Sequence, residues 1–254
     1  MTLRKRVIVC LDVADGSVVK GVRFAGLRAM GDPVALASGY EAAGADEIVF
    51  LDVSAALDGR ETLLDCVRHT ADGLFIPLTV GGGIRSVEDA SRALRAGADK
   101  IAVNTAAVER PALLTELSAH FGAQCVVASI DARRTRDQWE VFVRGATTPT
   151  GRDAITWARE CVERGAGEIL LTSIDRDGTR AGYDLALTQA VAARVSVPVV
   201  ASGGAGSAQD VRRVLTETGA DAALVAGILH EGGTTVDAIK LELANGNVSV
   251  RAAV

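Results

Sequence analysis

The chain repeats itself. Val7-Ile8-Val9-Cys10-Leu11-Asp12 returns as Val126-Val127-Ala128-Ser129-Ile130-Asp131, so two aspartates end matching apolar runs at an offset of 119 residues (131 − 12). Gly44-Ala45-Asp46-Glu47-Ile48 returns as Gly165-Ala166-Gly167-Glu168-Ile169. Ile76-Pro77-Leu78-Thr79-Val80-Gly81-Gly82-Gly83 returns as Val197-Pro198-Val199-Val200-Ala201-Ser202-Gly203-Gly204, and Gly97-Ala98-Asp99 as Gly219-Ala220-Asp221. The anchors agree on one offset to within three residues. A repeat of this kind means two like halves and settles the architecture before any local reading. One site that receives a carboxylate from each half is the direct implication.

Short β-branched runs at 6–12, 47–52, 76–80, 100–104, 124–131, 168–173, 197–202 and 222–226 alternate with amphipathic segments. These lie near 32–43, 60–72, 86–96, 110–120, 152–164, 184–194, 207–217 and 234–244. Eight strand–helix units with a twofold repeat predict an α/β fold, a (β/α)8 TIM barrel. It would be one domain, 1–254, of two half-barrels at about 1–121 and 122–254. A doubly wound open sheet is the alternative, but it requires neither eight units nor a repeat. With 48% hydrophobic and only 4% aromatic residues, the core must be built of Val, Ile, Leu and Ala, as in a parallel sheet buried on both faces. Ser86 and Ser207, each after a glycine run, read as helix N-caps. Long loops follow strand one, from Asp12 to Met30, and strand five, where the second half of Arg133 to Arg144 reads as a hairpin strand. Loops of that length usually have a task.

A net charge of −5 argues against nucleic acid or an acidic membrane as partner, so a small-molecule ligand is expected. Asp12 and Asp15 interrupt the apolar stretch behind the basic start, and no run approaches 18 apolar residues. A cytoplasmic protein is expected, with no membrane partner. Cys10, Cys66, Cys125 and Cys161 have no metal-type spacing and read as buried free thiols. His69, His120 and His230 fall in or at the ends of helical segments and read as structural or solvated.

In such a barrel the chemistry stands at the C-terminal ends of the strands. These are Asp12, Asp52, Thr79 with Gly81-Gly82-Gly83, Asn104-Thr105, Asp131, Thr172-Ser173, Ser202-Gly203-Gly204 and Ala226-Gly227. No cysteine or histidine is among them, so no metal site is expected. A glycine run between a strand and a helix N-terminus admits a phosphate close to the backbone N–H groups. A lone run is more often a plain turn, but two runs in register favour anion sites. Gly82 and Gly83 with Asn104 and Thr105 would hold one phosphate, and Gly203 and Gly204 with Ala226 and Gly227 a second. A bisphosphate would then span the mouth, its middle between Asp12 and Asp131. Strands one and five are opposed in an eight-stranded barrel, which suits an acid and a base acting on two sides of one molecule. The competing reading for each aspartate is a loop cap or a lysine partner.

Several runs carry a resemblance. Cys10-Leu11-Asp12-Val13, Asp15-Gly16 with Val19-Lys20-Gly21, Val80-Gly81-Gly82-Gly83-Ile84-Arg85, Asn104-Thr105-Ala106-Ala107-Val108 and Ser129-Ile130-Asp131-Ala132 resemble the cyclase subunit of imidazole glycerol phosphate synthase. So do Leu171-Thr172-Ser173-Ile174-Asp175-Arg176-Asp177-Gly178-Thr179 and Ala201-Ser202-Gly203-Gly204-Ala205-Gly206. The resemblance runs essentially end to end. It implies a cofactor-free lyase of histidine biosynthesis that takes ammonia from a partner glutaminase. A ribulosyl bisphosphate intermediate would become imidazole glycerol phosphate and aminoimidazole carboxamide ribotide. It implies catalytic roles for Asp12 and Asp131, closure of Lys20 over the substrate, and contacts from Asp177 and Gly178. Arg6, Glu47, Lys100 and Glu168 stand at strand starts. The fold alone reads them as a salt-bridged plug; the resemblance implies a gate for ammonia, with the glutaminase docked on the bottom face. The sister aldose–ketose isomerase of the same pathway shares the aspartates and phosphate sites, and a silent barrel scaffolding a glutaminase is a third reading. The Cys-Leu-Asp-Val opening, the Leu-Leu-Thr-Ser-Ile-Asp-Arg-Asp-Gly-Thr run and the charged quartet favour the cyclase.

Overall fold

A computed structural model describes residues 4–14, 17–22, 25–52 and 64–251, and the side chains of 20–29 lie outside that description. Eight parallel strands close on themselves. β1 (Arg6–Ala14) pairs with β4 (Glu47–Asp52), which pairs with β5 (Leu78–Gly81), and β5 with β6 (Lys100–Val103). β6 pairs with β7 (Val126–Arg134), β7 with β10 (Glu168–Ser173), and β10 with β11 (Val199–Ser202). β11 pairs with β12 (Ala222–Val225), and β12 returns to β1. This is the (β/α)8 barrel that the repeat predicts, and closure leaves the open-sheet alternative without an edge.

Alternation along the strands builds two apolar layers. Ile8, Cys10, Val49, Ala102, Val127, Leu170, Val200, Ala222 and Leu224 fill the barrel interior. Their strand neighbours, such as Val9, Ile48, Ile101 and Ile169, pack outward under the helices in one continuous core. Both faces are thus buried, which is why the strands read as unbroken apolar runs.

The helices are α1 (Pro33–Ala42), α2 (Leu64–Ala71), α3 (Val87–Arg95), α4 (Thr105–Glu109), α5 (Ala112–Phe121), α6 (Ala154–Glu163), α7 (Leu185–Ala192), α8 (Ala208–Glu217), α9 (Gly227–His230) and α10 (Val236–Asn245). The repeat extends to their caps. Ser86 accepts from the Asp89 N–H at 3.2 Å while the Asp89 carboxylate accepts from the Arg85 N–H at 2.9 Å. In the second half Ser207 and Asp210 make the same two bonds at 3.2 Å each.

Three expectations need adjustment. The segment from Asp12 to Met30 is not a plain loop: β2 (Ser17–Val22) pairs antiparallel with β1 and with β3 (Ala25–Gly31). The helix expected at 110–120 begins only after Pro111 and is preceded by the separate turn of α4. After β7 the chain forms two further strands, β8 (Trp139–Val143) and β9 (Thr148–Asp153), rather than one. The helix expected at 60–72 is described from Leu64 to Ala71, and positions 60–63 lie outside the described residues. Among the described residues no helix is long and apolar enough to cross a membrane.

Candidate active site

β1 and β7 are separated by three strands in either direction around the barrel, so their ends face each other. Asp12 shares the interior face of β1 with Ile8 and Cys10, and Asp131 shares that of β7 with Val127. Asp131 is buried, and the Asn104 side-chain amide donates to its Oδ2 at 2.8 Å. Burial, and next the negative charge of Asp177, push its carboxyl up from 3.8 to about 7, while the Asn104 hydrogen bond pulls the other way. A carboxyl that titrates near neutrality can both give and take a proton at working pH. Asp12 is half-buried, with the Cys10 Sγ 3.5 Å from its Oδ1.

Asp177 reaches the mouth from the loop after β10, where its N–H donates to the Ser173 carbonyl at 2.9 Å and Gly178 turns the chain at φ 70°. Thr172 is buried beside Asp131 in the β7–β10 register. Asp52 alternates with the interior-facing Leu51 and lies buried against Gly82 on the other face of β4. Lys20 pairs through its backbone with Arg28 in the β2–β3 hairpin, but its side chain lies outside the described residues.

The glycine runs match in detail. Gly82 and Gly83 have φ of 90° and 70°, Gly203 and Gly204 of 89° and 104°. A Cβ on Gly82 would stand 2.2 Å from the Asp52 carbonyl, and one on Gly204 2.3 Å from that of Gly182, so no other residue fits either turn. Asn104 (φ −117°, ψ −88°) and Ala226 (φ −138°, ψ −89°) then make the same turn into α4 and α9, and neither side chain caps its helix. The first N–H groups of both helices are therefore not satisfied by the cap residue. Thr105 Oγ1 accepts from the Arg144 N–H at 3.0 Å.

At the opposite end, four charges close a ring. Arg6 bonds Glu47 at 3.0 Å and Glu168 at 2.5 Å; Lys100 bonds Glu47 at 2.9 Å and Glu168 at 2.8 Å. Burial pushes the Glu168 carboxyl up, but the charges of Arg6 and Lys100 outweigh it and hold the group below its ordinary range. Thr79, expected with the glycine run at the C-terminal end of its strand, is instead the second residue of β5, level with Lys100 in the β5–β6 register, and its hydroxyl donates to Glu47 at 2.6 Å. Its inward parity on β5, two residues before Gly81, was the available signal. The ring and the two carboxylates are about 20 Å apart along β1, six strand residues, with the apolar interior between them.

Geometry alone would serve the sister isomerase as well. A family described as "Histidine biosynthesis protein" matches residues 6–235. A Myxococcus xanthus protein named imidazole glycerol phosphate synthase subunit HisF is 64% identical over 249 residues, 98% of each chain. The chain belongs to the HisF family. HisF proteins of Metallosphaera sedula and Bacillus cereus are 57% and 56% identical over 251 and 250 residues, 99% and 98% of this chain and 100% and 99% of their own. As a HisF-family member the chain is an enzyme of histidine biosynthesis, of the cyclase type, and not the isomerase. HisF relatives are named as subunits, which implies a partner subunit.

Proposed function

We propose that this chain performs the ammonia-dependent cyclase step, converting a ribulosyl bisphosphate carboxamide intermediate into imidazole glycerol phosphate and aminoimidazole carboxamide ribotide. The opposed carboxylates carry the reading: Asp131, titrating at about 7 beside Asn104, stands across the mouth from Asp12. Asp131 assists ammonia addition and the proton transfers of ring closure, and Asp12 is the complementary acid or base. Each half of a single barrel domain contributes one phosphate site, Gly82, Gly83, Asn104 and Thr105 from the first and Gly203, Gly204, Ala226 and Gly227 from the second. The shared left-handed glycines and shared cap geometry support that assignment. Lys20 closes over the substrate, and Asp52, Thr172, Asp177 and Gly178 add contacts.

Arg6, Glu47, Lys100 and Glu168 form the gate by which ammonia enters. The apolar interior above them favours a neutral molecule, because ammonium would lose its hydration there without a partner charge. A partner glutaminase docks on this N-terminal face, where Phe75, 92% exposed on the loop entering β5, offers the aromatic contact typical of interfaces.

Turnover of the ribulosyl bisphosphate by the purified chain with an ammonium salt and no partner is the deciding measurement. Cyclisation is expected. No turnover would sink the reading.

A further inference from the structure

His230 has no task in the chemistry above. It ends α9, the single helical turn that begins at Gly227. Its Nε2 lies 3.0 Å from the carbonyl oxygen of Cys10, and its Nδ1 2.7 Å from the hydroxyl of Tyr40 on α1. The two rings are tilted against each other with centroids 5.5 Å apart. A carbonyl only accepts, so Nε2 carries the hydrogen, and in the neutral ring the Tyr40 O–H donates to Nδ1. The position of that carbonyl is informative. β1 pairs with β12 only as far as Val9 opposite Val225, yet β1 runs on to Ala14. Cys10 is the first residue past that ladder, at the level where the chain leaves β12 and turns through Ala226 into α9. The imidazole N–H bonds β1 just where β12 stops pairing with it. Two residues further stands Asp12, its Oδ1 3.5 Å from the Cys10 Sγ.

We propose that His230 is a positioning residue for Asp12, tying the end of β1 to the short helix that starts at the second phosphate site. The inference rests on the roles given above to Asp12 and to Ala226–Gly227. From Gly227 to His230 is roughly 5 Å of helix rise, too short to flex internally. An anion held at Gly227 therefore fixes the imidazole, and the imidazole fixes the strand end that carries the carboxylate. Tyr40 holds the ring in the tautomer that the Cys10 carbonyl requires.

The test is steady-state turnover of the ribulosyl bisphosphate with ammonium salt, with thermal unfolding measured in parallel. His230→Ala should lower kcat about tenfold while KM changes less than about threefold, the pattern of a misplaced catalytic group rather than lost binding. His230→Gln, whose amide N–H can reach the Cys10 carbonyl, should recover kcat to within about threefold of the unmodified chain, and Tyr40→Phe should fall between. Unchanged kcat in His230→Ala, a rise in KM alone, or no recovery in a normally folded His230→Gln would each overturn the proposal. Failure of the underlying reading looks different: the unmodified chain would show no turnover, or Asp12→Asn would keep full kcat.

Discussion

Asp131 combines three influences in one side chain. Burial and Asp177 raise its carboxyl to about 7, and Asn104 opposes them. Its folded value lies above its ordinary 3.8, so the protonated form is the one the fold tolerates. That advantage is complete below about pH 4 and is lost as pH rises towards 7, at about 1.4 kcal/mol per pH unit. Asp131→Asn, which does not titrate, should therefore gain stability over the unmodified chain across that window and hold a constant margin above it, by chemical unfolding at stepped pH. The same variant should lose cyclisation while binding the bisphosphate within about threefold of normal; a large loss of affinity would make Asp131 a binding group instead. Cys161 is a contrasting case: burial, and then Glu160, push its thiol up to about 12, which fits an inert packing residue.

The strand–helix junctions show how a repeat is copied at the level of single hydrogen bonds. Gly-Ala-Asp recurs at 44–46, 97–99 and 219–221, and in each the aspartate accepts from a backbone N–H of the strand it abuts, Val7 at 2.8 Å, Leu78 at 2.8 Å and Val199 at 3.1 Å. The fourth copy has Gly167, where a Cβ would lie 2.2 Å from the Ala123 carbonyl, so a neighbouring turn has taken the space of the carboxylate. The two serine caps set up a matched comparison. Ser86→Ala and Ser207→Ala should each cost about 1 kcal/mol in urea unfolding. Both should also raise KM for the bisphosphate, since Arg85 and Gly206, each bonded to the aspartate of its cap, continue the Gly82-Gly83 and Gly203-Gly204 turns. An unchanged KM in both variants would separate the caps from phosphate binding.

The barrel separates its charges, a neutralised ring at one end and carboxylates at the other, with apolar filling between them. Lys100→Met would leave Glu47 and Glu168 sharing Arg6 alone, at a cost of about 3 kcal/mol. Glu168 is held below its ordinary range, so its contribution is present above the ordinary carboxylate range and lost as pH falls through and below it; the variant should show a flatter acid limb there. A plug predicts that stability loss and nothing more. A gate also predicts a changed ratio of glutamine-dependent to ammonium-dependent turnover in the complex with the proposed glutaminase partner. Much of this architecture was legible in the chain because it is local or periodic. Strand alternation, the cap at Ser86 and the glycines that only a left-handed turn requires are properties of a few consecutive residues, and the repeat doubles each signal. The opposition of Asp12 and Asp131 also followed, since strand count and closure determine it. The bond from Asn104 to Asp131, the Thr79 hydroxyl on Glu47, and the path from Tyr40 through His230 to Cys10 were not legible. Each joins residues from 27 to 220 positions apart, and only the stagger and twist of the closed barrel decide which side chains meet. Sequence alone determined the fold, its duplication and which residues stand at the strand ends. The tertiary structure decided what surrounds each group, and through burial and neighbouring charge it decided that Asp131 titrates near neutrality.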